Sequence, residues 1–146
     1  MPTREVSPAE ALAALTSDPK AVYVDVRTEG EFEAGHPRGA LNVPVTTFDP
    51  ATHRPVLNPD FVSVIEAHVP ADATILVGCQ SGVRSLRACA LLAAAGFTAV
   101  ANVRAGFGGA HDQMGRIVEP GWAEAGLPVE VGATPGTRYA DLVAKR

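Results

Sequence analysis

The segment that most constrains the fold is a short apolar run that leads into a cysteine and then into a helix-like stretch. The run is Thr-Ile-Leu-Val-Gly at residues 74–78, and Cys79 follows it directly. An Ala- and Leu-rich stretch then covers residues 86–95 and closes at Gly96. The first run predicts a buried strand, and the second predicts a helix that ends at its glycine. The sequence therefore places Cys79 between the carboxyl end of a strand and the start of a helix.

This position suits a reactive cysteine. Ligands of open α/β sheets bind at the carboxyl edge of the strands, and a helix N-terminus presents free N–H groups and the positive end of its dipole. Both features favour a thiolate, as does the charge of Arg84 nearby. We interpret Cys79 as a nucleophile that holds an anionic group in a cradle of backbone N–H groups. The residues of this cradle are Gln80, Ser81, Gly82, Val83, Arg84 and Ser85.

Strand-like and helix-like segments alternate along the rest of the chain. Further strands are predicted at residues 21–26, 40–43 and 98–103. Further helices are predicted at residues 7–16, 28–34, 58–68 and 137–145. The alternation indicates an α/β fold with a parallel sheet and helices on both faces.

Three segments carry weaker patterns. Residues 45–59 hold three prolines and are predicted to form an irregular surface loop. Residues 114–121 form an excursion without a clear pattern. Residues 121–126 suggest a short helix, with Trp122 packed inward.

Length and composition indicate one globular domain. The chain has 146 residues, of which 47% are hydrophobic and 19% charged, and this length allows a substantial core. A net charge of -4 argues against nucleic-acid binding, which needs clustered Lys and Arg. Residues 73–111 nevertheless contain no acidic residue but include Arg84, Arg87 and Arg104. We therefore expect a locally basic region that attracts small anions.

The cysteines and the apolar stretches indicate in which cellular compartment the protein is found. Cys79 and Cys89 lie about 15 Å apart if the intervening residues are helical, whereas a disulfide needs Cα atoms within about 7 Å. We expect Cys89 to be a small core residue. The first residues lack the apolar core of a secretory signal, and no apolar stretch reaches the length of a membrane span. We expect a cytoplasmic protein with no membrane partner.

Several separate pieces of the chain, in a fixed order, resemble the rhodanese family in its single-domain form. They lie between residues 6 and 129, at 24–27, 31–32, 35–36, 39–44, 79–85, 96–97, 102–103 and 126–129. The resemblance implies a five-stranded parallel sheet flanked by helices. It also implies one rhodanese domain over residues 1–146, with a core at about 6–129 and a C-terminal extension.

The chain departs from the family pattern at three positions. Pro37 follows His36 where Ile or Val is usual, and Ala105 replaces the first glycine of a Gly-Gly pair. Phe107 stands nearest to the position of a frequent Trp. These changes bear on the choice of acceptor more than on the basic chemistry.

The resemblance implies that Cys79 accepts a sulfane sulfur from thiosulfate or another donor and becomes a persulfide. The sulfur then passes to cyanide, a thiol or a sulfur-accepting protein, and no cofactor is required. Arg84 has two roles open to it, which are to bind the sulfonate of the donor or to form an ion pair with an acid such as Glu31. Asp25 and Arg27 are expected at the edge of the site, where they support the loop.

Two other functions compete with this one. A cysteine loop that ends in arginine also suits a phosphatase, but four residues separate Cys79 from Arg84 here, where the phosphatase pattern has five. The shorter loop should fit one sulfur atom better than a phosphate. The second rival is a persulfide carrier or a regulatory module without an enzymatic role. The histidines show no metal-ligand spacing, and we expect His36 to be structural.

Overall fold

A five-stranded parallel sheet lies at the centre of the molecule. The structure, a computed structural model, describes residues 3–145. In chain order the elements are β1 (Arg4–Val6), α1 (Pro8–Ser17), β2 (Val22–Asp25), α2 (Glu29–Ala34), β3 (His36–Pro37), β4 (Leu41–Asn42), β5 (Thr46–Phe48), β6 (Pro55–Leu57), α3 (Phe61–His68), β7 (Thr74–Gly78), α4 (Arg84–Ala94), β8 (Ala99–Val103), β9 (Ala110–His111), β10 (Ile117–Glu119), β11 (Val129–Glu130) and α5 (Tyr139–Ala144). The order in the central sheet is β1-β8-β7-β2-β4, and every pairing in it is parallel. The predicted fold class is confirmed.

Alternate residues of the central strands supply two apolar cores, one on each face of the sheet. In β7, Ile75 and Val77 join a cluster that includes Leu92 of α4. Leu76 between them joins a second cluster that includes Phe32 of α2. This alternation follows from the two-residue period of a strand. The sheet is therefore covered on both sides, as parallel sheets require.

The first two helices begin as the sequence indicates. Ser7 and Glu10 form a capping box at the start of α1, and Thr28 and Glu31 form another at the start of α2. Each box satisfies N–H groups that the first helical turn leaves without partners. None of the helices within residues 3–145 has the length and apolar character needed to cross a membrane.

The proline-rich segment is more regular than predicted. β5 and β6 pair as an antiparallel hairpin, so the prediction of an irregular loop over residues 45–59 is wrong. Pro55 opens β6, where the missing N–H of proline is tolerated. The turn is closed in part by Asp49, whose Oδ1 accepts from Ala51 N at 2.7 Å.

The last third also differs from expectation. β10 lies within residues 114–121, which showed no clear pattern, and it pairs antiparallel with β9 just before that segment. Residues 121–126 form turns and not the predicted helix, although Trp122 is buried as expected. Ala125 N donates to Gly121 O in one helix-type bond, and Gly126, with φ +76°, ends the segment before a second turn forms. β1 was not predicted because three residues carry too little periodicity.

The C-terminal helix packs against the body of the protein. Asn58 Nδ2 donates to Tyr139 Oη at 3.0 Å, and His68 Nε2 lies 2.7 Å from the carbonyl oxygen of Leu142. Leu142 is itself buried in the core that includes α3 and α4. Residues beyond 129 therefore share one core with the central sheet.

One close approach in the sheet gives a stability prediction. A Cβ at Gly78 would lie 1.8 Å from Tyr23 Oη, and the Tyr23 ring is held edge-on against Trp122 at 5.4 Å. We expect Gly78→Ala to lower the free energy of unfolding by about 3 kcal/mol, as overpacking does. Urea unfolding measures the change. Gly30→Ala in α2 is the control, because open space surrounds Gly30, and it should gain about 0.5–1 kcal/mol. An unchanged midpoint for Gly78→Ala would contradict the packing.

Candidate active site

The sheet register brings three strand ends to one place. Asp25 at the end of β2 lies opposite Gly78, and Val77 lies opposite Asn102 of β8. Cys79 follows Gly78 directly, so it emerges between the ends of β2 and β8. This is the edge at which the sequence analysis placed the site.

The sulfur of Cys79 faces the first turn of α4. The residue is 1% exposed. Gly82 N donates to Cys79 Sγ at 3.1 Å, and Ser85 Oγ lies 3.4 Å from the same sulfur. Gly82 has φ +98°, and a Cβ there would come within 3.3 Å of Ala105 N. Glycine at this position therefore lets the loop turn its N–H group toward the sulfur.

A line of hydrogen-bonded side chains runs from the buried sulfur to exposed Glu5. Ser85 Oγ donates to Asn102 Oδ1 at 2.5 Å, and Asn102 Nδ2 donates to Glu5 Oε2 at 3.0 Å. Asn102 Nδ2 also reaches Gly82 O at 3.3 Å. The contact with Glu5 was not predicted, because it depends on the pairing of β1 with β8. These hydrogen bonds fix the orientation of the Asn102 amide, because its NH₂ group faces two acceptors, Glu5 Oε2 and Gly82 O.

Arg27 ties β2 to the cysteine loop. Its Nε and Nη2 donate to the carboxylate of Asp25, and Nη2 also reaches Gly35 O at 2.6 Å. Its Nη1 donates to Gln80 Oε1 at 3.1 Å. The guanidinium lies 4.5 Å above the ring of Phe107. Arg27 is thus buried and paired, with one N–H of Nη1 not used by these contacts.

Arg84 forms a two-pronged ion pair with Glu31. Its Nη1 and Nη2 donate to the two carboxylate oxygens at 2.8 and 2.9 Å. This hydrogen bonding is the main cause that lowers the pKa of Glu31 from 4.5 to about 2 and raises the pKa of Arg84. Both side chains remain about one-third exposed. Of the two roles left open for Arg84, the ion pair is formed in this structure.

The expected basic region is largely neutralised. Glu31 pairs with Arg84, and Glu119 pairs with Arg104 at 3.1 Å. Both acids lie outside the acid-free stretch of sequence and reach it only through the fold. Arg87, one turn after Arg84, is exposed. The site therefore holds balanced charges where the sequence suggested an excess of positive charge.

A second loop braces the first. Phe107 N donates to Cys79 O, and Gly108 N donates to Gln80 O, both at 2.8 Å. A Cβ on Gly106 would lie 2.2 Å from Cys79 O, so only glycine permits this contact. Ala105 has φ +69°, a conformation in which glycine is more usual. The departure from the Gly-Gly pattern therefore falls at a strained position beside the site.

His36 and Cys89 occupy structural positions. His36 is buried and stacked on Phe32 with 3.6 Å between ring centroids, and its Nδ1 lies 2.7 Å from Phe32 O. Cys89 is a free thiol in the core, and burial raises its pKa to about 12. We find no cluster of metal-binding side chains within residues 3–145.

An open cleft lies beside the cysteine loop. Its volume is about 470 Å³, and it is lined by Arg27, Glu31, Ala34, Gly35, Gln80 and Phe107. A second hollow of about 530 Å³ lies along α4 near Cys89. The thiol there stays protonated near neutral pH because of its raised pKa. The first cleft borders the cysteine loop through Gln80 and is the candidate opening to the site.

Comparison with known proteins identifies the family. The family model described as the rhodanese-like domain matches residues 7–112. This match covers well over half of the chain, so the protein belongs to the rhodanese-like family. The resemblance found in the sequence is confirmed.

Individual relatives agree with this assignment. Thiosulfate sulfurtransferase 16, chloroplastic, from Arabidopsis thaliana is 38% identical over 108 residues, which cover 74% of this chain and 78% of that protein. A tRNA uridine(34) hydroxylase from Enterobacter sp. (strain 638) is 34% identical over 93 residues, 64% of this chain but 24% of that protein. The crystal structure of Rv0390 from M. tuberculosis has a TM-score of 0.74 at 31% identity and covers 90% of this chain and 100% of that chain. The fold thus occurs in proteins named for more than one activity.

The ion pair gives a pH prediction. The pKa of Glu31 is lowered from 4.5 to about 2, so its contribution to stability is present above pH 4.5 and is lost as the pH falls toward 2. The free energy of unfolding of Glu31→Gln should be lower than that of the parent by about 1 kcal/mol or less at neutral pH, because the pair is partly exposed. The difference should shrink between about pH 5 and pH 2, as measured by denaturant titration at each pH. Glu33→Gln, an exposed change on the same helix, is the control. A difference that stays constant with pH would contradict the ion pair.

Proposed function

We propose that this protein is a sulfurtransferase that carries a sulfane sulfur on Cys79. It takes the sulfur from thiosulfate or a related donor and passes it to cyanide or a thiol. The observation that carries the proposal is the cradle at the sulfur, where Gly82 N lies 3.1 Å from Cys79 Sγ at the start of α4. Relatives named thiosulfate sulfurtransferase support the same choice.

The reaction has two displacements on sulfur. The Cys79 thiolate attacks the outer sulfur of thiosulfate, the S–S bond breaks, and its electron pair leaves with sulfite. The product is a Cys79 persulfide. Cyanide then attacks the outer sulfur of the persulfide, thiocyanate leaves, and the thiolate is restored. Electrons balance in each half, so no external oxidant or reductant enters, and ping-pong kinetics should follow.

The protein supports this chemistry through its backbone. Gly82 N, just before α4, lies 3.1 Å from the sulfur and stabilises its negative charge without a charged side chain. Ser85 Oγ lies 3.4 Å from the sulfur and adds a polar contact. The brace from Phe107 N to Cys79 O holds the loop in place while the bonds change.

Loop length favours sulfur over phosphate. Four residues lie between Cys79 and Arg84, and Arg84 is already paired with both oxygens of Glu31. A phosphate would need a wider cradle and a guanidinium turned into it. A persulfide needs only space for one more sulfur atom. A carrier role would use the same persulfide, with a protein thiol in place of cyanide.

The nucleophile is tested by substitution. Cys79→Ser should abolish thiocyanate release from thiosulfate and cyanide, because a serine hydroxyl cannot form a persulfide. Mass spectrometry of the parent after incubation with thiosulfate should show a gain equal to one sulfur atom at Cys79, and cyanide should remove it. Cys89→Ala is the matched control and should keep the gain, since its thiol has a pKa of about 12. Retained activity in Cys79→Ser would end the proposal.

The phosphatase alternative is tested by aryl-phosphate hydrolysis. The parent protein should release no aryl alcohol above the level of Cys79→Ser, because the short loop gives the phosphoryl oxygens too few N–H donors. A phosphate-release assay on the two proteins side by side makes the comparison. Robust hydrolysis that depends on Cys79 would favour the phosphatase reading over sulfur transfer.

A further inference from the structure

The entrance to the cysteine loop offers no excess positive charge to an incoming anion. Arg27 is paired with Asp25, and Arg84 is paired with Glu31. Glu31 also lines the cleft beside the loop. A thiosulfate dianion that enters here therefore meets one carboxylate on the wall and a guanidinium that this carboxylate already binds.

The cleft has more room than a small inorganic anion requires. Its volume of about 470 Å³ lies in the range typical of sites for small organic ligands. Phe107 and Ala34 give it an apolar part, and Gln80 gives it a polar part. Phe107 is held in place beneath the Arg27 guanidinium at 4.5 Å. This lining suits a donor that has an organic portion next to its transferable sulfur.

We propose that Glu31 determines which sulfur donor the protein prefers, a role that rests on the proposed sulfur transfer. Glu31 neutralises Arg84 and therefore favours an organic persulfide of low net charge over thiosulfate. In the favoured reaction the Cys79 thiolate attacks the outer sulfur of the persulfide. The S–S bond breaks, and the electron pair leaves with the organic thiolate. The outer sulfur is transferred in its ionised form, so no proton moves and two sulfurs carry a negative charge before and after the step.

The variant Glu31→Gln isolates this role. Glutamine can still accept from the N–H of Thr28, as glutamine does in capping boxes, so α2 keeps its start. The negative charge is lost, and Arg84 loses its carboxylate partner on the wall of the cleft. Arg84 is about one-third exposed and within electrostatic reach of Cys79, which contributes to the raised pKa of Arg84.

The experiment compares two donors on the 146-residue chain, with cyanide as acceptor. We expect Glu31→Gln to lower the KM for thiosulfate about fivefold, because a charge-assisted contact becomes available at a partly screened site. The KM for cysteamine persulfide, whose ammonium offsets its own negative charge, should change less than about twofold. Added salt should reduce the gain for thiosulfate. Glu33→Gln removes one negative charge from the same helix and should change neither KM.

The double variant Glu31→Gln with Arg84→Gln tests the route of the effect. Its KM for thiosulfate should return to the value of the parent protein, because the lower KM of Glu31→Gln depends on the freed guanidinium. Sulfate is an unreactive dianion, so its inhibition constant reports anion binding without sulfur transfer from the anion itself. Sulfate should inhibit Glu31→Gln more strongly than the parent protein or the double variant. An unchanged KM for thiosulfate in Glu31→Gln would overturn the proposal, as would an equal fall for both donors.

Mass spectrometry separates this outcome from failure of the proposed function. If the parent protein gains no sulfur at Cys79 from either donor, sulfur transfer itself is wrong, and the role of Glu31 is wrong with it. If Cys79 gains sulfur from both donors and Glu31→Gln alters neither KM, only the role of Glu31 is wrong.

Discussion

The site depends on the parallel pairing of β7 with β2 and β8. That register sets Asp25 beside Gly78 and Asn102 beside Val77, so the groups around Cys79 arrive from three separate strands. Because the strands are buried on both faces, a slip of one residue would turn every apolar side chain to the wrong core. The packing that stabilises the sheet therefore also fixes the geometry around the sulfur.

Local patterns were sufficient to predict much of this architecture. The helical stretches that begin at residues 7 and 28, the apolar run of β7 and the glycine after α4 are all signals contained within a few residues. The same holds for the position of Cys79, which needs only the strand before it and the helix after it. The hairpin of β5 and β6 was harder to predict. Proline ends most strands, but Pro55 is accepted because it is the first residue of β6.

The electrostatics of the site could be predicted only in part, because its charged groups contact residues in distant parts of the chain. The pair of Arg84 with Glu31 was one of two roles open to Arg84, and the structure forms it. Glu31 and Arg84 are 53 residues apart, and Glu5 and Asn102 are 97 apart. A stretch without acidic residues looks basic in the sequence, yet folding brings acids to it from other elements. The charge of a sequence segment is therefore a poor predictor of the charge at the folded surface. The backbone N–H groups at a helix start, in contrast, can be predicted from the local sequence pattern.

The hydroxyl of Ser85 has one proton and two neighbours that can accept it. Asn102 Oδ1 lies at 2.5 Å and Cys79 Sγ at 3.4 Å, and the proton can serve only one of them at a time. When sulfur carries a negative charge it competes more strongly for that proton, and the amide oxygen loses its donor. A rotation about one C–O bond thus decides whether Ser85 donates to the sulfur or to the Asn102 amide. The same amide donates to Glu5 of the edge strand β1, so a line of hydrogen bonds runs from the sulfur to the edge of the sheet.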